Sequence, residues 1–162
     1  MNTPTLPQLS LSVHYAVPFD VASEAHIRDW VTTSLRVLSQ DYELSYTEII
    51  LAVRFCDSEE SQRLNREYRK QNKPTNVLTF AYGVEPSTQC LSADILVCVP
   101  VVHDEAQAHN KPLLHHTAHL CVHGVLHALG FDHITEDDAI EMEALEAKIL
   151  DHFQIPNPYI IT

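Results

Sequence analysis

Apolar and polar positions alternate from Leu9 to Tyr15 (LSLSVHY), the two-residue period of a strand that buries one face. The period then changes. Ala22, Ala25, Ile27, Trp30, Val31, Leu35 and Leu38 recur at helical spacing between Val21 and Leu38, and Ser23 is placed to cap the first turn. TEIILAVRF (47–55) is a β-branched strand, and Asp57 caps the helix that follows, SEESQRLNREYRK. Lys73-Pro74-Thr75 breaks that helix ahead of a third strand, NVLTFAY (76–82). A polar loop holding Pro86 leads to a fourth, ADILVCV (93–99). Pro100 suits a helix start, so VVHDEAQAHN is helical until Lys111-Pro112 interrupts it. LLHHTAHLCVHGVLHALG (113–130) is a long helix with Gly130 as its C-terminal stop. A last helix runs from Glu136 to Phe153, with Ile140, Ala144, Leu145, Ile149 and Leu150 on its inner face, and the tail IPNPYIIT reads as extended.

The order β α β α β β α α α departs from βα alternation at its third and fourth strands. It predicts one α+β domain over residues 1–162, with a small β-sheet, mixed or antiparallel, packed against helices. A chain of this length buries a core without disulfides. Cys56, Cys90, Cys98 and Cys121 form no C-x-x-C pair and sit in or beside apolar stretches, so they read as buried free thiols in a reducing compartment. No apolar run approaches the roughly 20 residues that span a bilayer. The N-terminal stretch lacks a basic segment followed by an apolar one. The expectation is a soluble, unexported, cytoplasmic protein.

A net charge of −12 argues against a nucleic-acid partner until its distribution is considered. Arg54, Arg63, Arg66, Arg69, Lys70 and Lys73 are six of the ten basic residues and fall within twenty positions. Eight of the 22 acids lie between Asp132 and Asp151. One face of an acidic molecule is therefore locally positive, as a phosphate-binding surface requires, although a solvated helix face has the same pattern. The acidic last helix allows contact with a basic protein, with solvation again the plainer account. Neither G-x-G-x-x-G nor G-x-x-x-x-G-K-[ST] is present, which excludes those phosphate loops.

The chemistry concentrates in HGVLHALGFDH (123–133), the pattern H-G-x-x-H-x-x-G-x-D-H. Residues four apart on a helix share a face about 6 Å apart along the axis, so His123 and His127 can present imidazoles to one ion. Gly130 can take the left-handed conformation that turns the chain back and brings His133 towards them. Three neutral imidazoles and a water make the open, four-coordinate arrangement of a catalytic zinc site, and the same donors suit nickel or copper. His115 and His119 extend the histidine row. His119 lies about 12 Å along the axis from His127 and cannot share its ion, so it falls to supporting a ligand or contacting substrate. Asp132 aims poorly at the same ion and is left to orient an imidazole or accept a proton.

Where a zinc peptidase helix carries its glutamate base, this chain has Gly124. Peptide hydrolysis needs water activation and proton delivery to a poor leaving group. An RNA phosphodiester supplies its own 2′-hydroxyl, and its anionic transition state is stabilised by a metal and an arginine. The glycine favours phosphoryl chemistry. Two other readings stay open: a hydrolase of another substrate such as a peptide, and a non-enzymatic factor with a structural metal. Three ligands with an open fourth position count against the latter. Cys121, two residues before His123, points to a different face of the helix.

Beyond this motif, LNREYRKQNKPTNVLTF (64–80), ADILVCVPVV (93–102), EAQAHNKPL (105–113), HTAHLCVHGVLHALGFDH (116–133) and EMEALEAKIL (141–150) resemble, in order and spacing, the YbeY family. Its members are bacterial zinc-dependent endoribonucleases of ribosomal RNA maturation. The resemblance implies one zinc ion on His123, His127 and His133, or nickel or another divalent transition metal. It also implies catalytic roles for Arg69 and His123, a cleft beside the sheet, and single-stranded RNA as substrate. It further implies action with the ribosome or ribosomal proteins in 16S RNA 3′-end processing and ribosome quality control, and makes the non-enzymatic alternative a ribosome-assembly factor with a structural metal. Asn72 departs from the aspartate often found there, as do Ala93, Ala128 and Phe131 from the usual residues, but none of them is a proposed ligand.

Overall fold

The structure, a computed structural model, describes residues 6–160. Strands β1 (Gln8–Tyr15), β2 (Glu48–Cys56), β3 (Val77–Glu85) and β4 (Cys90–Cys98) form one sheet in the order β1-β2-β4-β3. The helices are α1 (Glu24–Asp41), α2 (Ser58–Arg69), α3 (Val99–Ala108), α4 (Leu113–Ala128) and α5 (Glu136–Asp151). The α+β architecture is the one expected, and the sheet is mixed. A helix separates β1 from β2, so those strands run parallel, as do β2 and β4. Only a short turn separates β3 from β4, so that pair is antiparallel.

Alternation decides the layers. Ile49, Leu51, Val53 and Phe55 of β2, with Leu91, Ala93, Ile95 and Val97 of β4, lie on one face and are buried in the main core with α1, α4 and α5. On the other face Cys56, Leu78, Leu96 and Cys98 form a smaller cluster with Leu64 of α2. The helix starts follow their caps: the Ser23 hydroxyl accepts from the His26 amide at 3.2 Å, and Asp57 accepts from the Glu60 amide at 2.9 Å. All four cysteines are free thiols; Cys56, Cys98 and Cys121 are buried and Cys90 partly so. No helix among the described residues is long and apolar enough to cross a membrane.

The differences from expectation have physical causes. The β3–β4 pair continues past the expected ends, to Glu85 and Cys90, because a register shift between Ala81 and Gly83 lets pairing resume. The inner face of α5 is rotated: Ile140 and Ala144 are exposed, while Met142, Leu145, Glu146, Ile149 and Leu150 are buried. The C-terminal segment is not simply extended. Asn157 Oδ1 accepts from the Tyr159 amide at 2.9 Å and turns the chain back on α4 and α5. The last two residues of that tail lie outside the described residues.

Candidate metal centre

Helix α4 carries His123 and His127 on one face, and its end is built to return a third imidazole. The Gly130 amide donates to His127 O at 3.0 Å, and the Phe131 amide to Leu126 O at 3.0 Å. This is the paired bonding of a Schellman turn, with Gly130 at φ +100° where a side chain would be strained. His133 thereby comes back over the helix. The ring centroids of His123 and His127 are 4.5 Å apart, those of His127 and His133 5.2 Å, and those of His123 and His133 5.6 Å. One nitrogen from each ring lies within 4.8 Å of the other two, close enough for one ion.

One of the three donors is held in the protonation state that a metal needs. Burial, followed by the charges on His123, His133 and Arg69, lowers His127 from the usual 6.5 to about 4, against an opposing pull from Glu146. His127 is therefore a neutral imidazole with a lone pair to give near pH 7. His123 Nδ1 lies 2.7 Å from Glu146 Oε1. Burial would raise the Glu146 carboxyl, but the neighbouring His119 and His123 rings bring it down to about 2, so it is ionised and acts only as acceptor. Nδ1 of His123 must then carry the proton, leaving Nε2 free towards a metal. These residues fit a divalent transition metal held by three imidazoles.

Glu146 is fully buried, and sequence reasoning missed it among the acids of α5. Helical spacing was the available signal: Met142 lies four residues before it, and Ile149 and Leu150 three and four after it, all buried. Tyr159 donates to Glu146 Oε2 at 2.5 Å, and His119 Nε2 lies 3.1 Å from the Tyr159 hydroxyl. His119 thus sits behind the triad. Asp132 accepts from the Ile134 amide at 3.2 Å, a contact within the turn. Cys121 is buried in the main core. His116 binds Glu105 at 2.9 Å, and His115 lines a cavity of about 420 Å³ with His109 and Lys111, so these two histidines lie apart from the centre.

Gly124 faces the sheet. A Cβ there would lie 2.9 Å from Ile95 Cγ2, so no carboxylate base fits at that position. Arg63, Arg66, Arg69, Lys70 and Lys73 are exposed, while Arg54 is tied to Glu60 at 2.8 Å. Arg69 ends α2 and forms no salt bridge among the described residues, and its charge acts on His127. The loop after it is anchored from within. Buried Asn65 donates to Lys73 O at 2.8 Å, and the buried Ser61 hydroxyl donates to Thr75 O at 3.0 Å. Asn72 accepts from Gln62 at 3.2 Å.

The family model described as Endoribonuclease YbeY matches residues 18–154. A Thiobacillus denitrificans protein named Endoribonuclease YbeY is 46% identical over 154 residues, covering 94% of this chain and 97% of its own. A Colwellia psychrerythraea protein of that name is 41% identical over 148 residues, covering 88% and 91%. The solution structure of TM1509 from Thermotoga maritima shares the fold, with a TM-score of 0.55 at 18% identity over 89% of this chain and 91% of that one.

Proposed function

Because the chain belongs to the endoribonuclease YbeY family, we propose that it cleaves single-stranded RNA with a divalent metal, zinc by preference, held by His123, His127 and His133. The observation that carries this reading is the convergence of three imidazole nitrogens, with Arg69 near enough for its charge to act on His127. A metal bound there would supply a Lewis acid for a phosphodiester oxygen. Arg69, free of a carboxylate partner among the described residues, would hold the scissile phosphate and offset the negative charge that grows on it. Its exposed neighbours Arg63, Arg66, Lys70 and Lys73 would guide the flanking backbone. The substrate we assign is ribosomal RNA, at the 3′ end of the 16S precursor, in the cytoplasm and in company with the ribosome.

The peptidase reading is the weaker one, since Gly124 packs against Ile95 and leaves no room for a glutamate. A structural metal fits poorly too, because the candidate group among the described residues offers three ligand atoms and His133 is exposed. The reading is tested on an end-labelled RNA, single-stranded or annealed to its complement, with and without a chelator. Cleavage of the single strand alone, abolished by the chelator and restored by zinc, is expected. Equal cleavage of both forms, or cleavage indifferent to the chelator, would count against it.

A further inference from the structure

We propose that Tyr159 and Glu146 form a clamp that fixes the tautomer and ring position of His123, making the C-terminal turn a positioning element that controls the centre's metal affinity. This rests on the reading of His123 as a ligand. The hydrogen inventory carries it. Glu146 is fully buried, with three groups around it: His123 Nδ1 at 2.7 Å and His119 Nε2 at 3.5 Å from Oε1, and the Tyr159 hydroxyl at 2.5 Å from Oε2. The single phenolic proton of Tyr159 goes to Oε2. Its oxygen, 3.1 Å from His119 Nε2, must then accept the N–H of that ring. The direction of every bond follows: His119 donates to Tyr159, Tyr159 and His123 donate to Glu146.

A carboxylate this deep in the protein holds its place only while its oxygens are satisfied. Tyr159 satisfies Oε2, and thereby leaves Oε1 aimed at His123. Burial and Glu146 together push the phenol well above its ordinary range, so it stays a donor. The residue that completes the clamp lies beyond α5, far along the chain from the triad. Tyr159 is held there by the Asn157 turn and by edge-to-face contact with the His119 ring at 5.5 Å.

The test uses the full chain stripped of metal, with zinc affinity read by competition against a chromophoric chelator and the His123 tautomer read by imidazole nitrogen NMR. Glu146→Gln is expected to weaken zinc binding by roughly 10–100-fold, and Tyr159→Phe, which keeps the ring, by about tenfold. In native protein the proton sits on His123 Nδ1. In Glu146→Gln the tautomers mix, because an amide can face the ring with either its oxygen or its NH₂ group. Thermal unfolding of metal-free Tyr159→Phe close to native shows that the loss is not one of fold. Native-like zinc affinity in both variants would overturn the clamp and leave the metal reading standing. Native protein that binds no zinc overturns the metal reading itself and the clamp with it, so the native sample alone tells the two failures apart.

Discussion

A Cβ on Gly124 would lie 2.9 Å from Cγ2 of Ile95 and 3.0 Å from its Cδ1, so the helix that carries the candidate ligands His123 and His127 rests on β4 through a glycine. The glycine is a packing requirement as well as an absent base. Alanine there gains about 1 kcal/mol of helix propensity. It must also displace the β-branched Ile95 from the middle of the core, and overpacking of that kind costs about 1–3 kcal/mol. Gly124→Ala is expected to lower the urea midpoint, and Ile95→Ala to relieve part of the loss, so that the double variant is less damaged than the sum of the singles.

Gly130 links the fold to the third candidate ligand, His133. At φ +100° a side chain is strained, and Gly130→Ala is expected to cost about 1–2 kcal/mol while displacing His133. The check is zinc affinity beside stability: both fall, whereas Gly83→Ala, also at positive φ but in the β3–β4 hairpin, lowers stability alone.

Folding holds His127 neutral, with a value of about 4 against the usual 6.5. The unfolded chain therefore binds more protons between these values, and stability rises with pH across that window. This contribution of His127 is fully present above about pH 6.5 and is lost as the pH falls towards about 4. Urea midpoints of the metal-free protein at about pH 7.5 and about pH 5 measure it. The native protein should lose more on acidification than His127→Asn; equal losses would place the sensitivity elsewhere.

The histidine triad was legible in sequence because its geometry is local: helical spacing puts two rings on one face, and a glycine stop returns the third. Arg69 was proposed only through charge clustering and family resemblance, since nothing local fixes where the end of α2 points. Glu146 was not legible. Eight acids crowd the segment that holds it, and a buried carboxylate reads as one more solvated one until its partners on α4 and the C-terminal turn are known. Ile140 misled for the converse reason: it is apolar yet 61% exposed, because α5 turns the Met142–Glu146 row inward instead. The Asn157 turn that brings Tyr159 home was hidden between two prolines that favour extended chain.

We propose that metal and Arg69 act together on one RNA phosphate. The most direct measurement is cleavage of an end-labelled 16S RNA 3′ precursor by native protein, Arg69→Ala and His127→Ala side by side, with bound metal quantified in each sample. The account predicts that native protein cleaves, that His127→Ala loses both metal and activity, and that Arg69→Ala keeps its metal while its rate falls by about 10²–10³-fold, as for loss of one charge-stabilising donor. Equal cleavage by all three would show that the activity belongs to another protein in the preparation and would contradict the account.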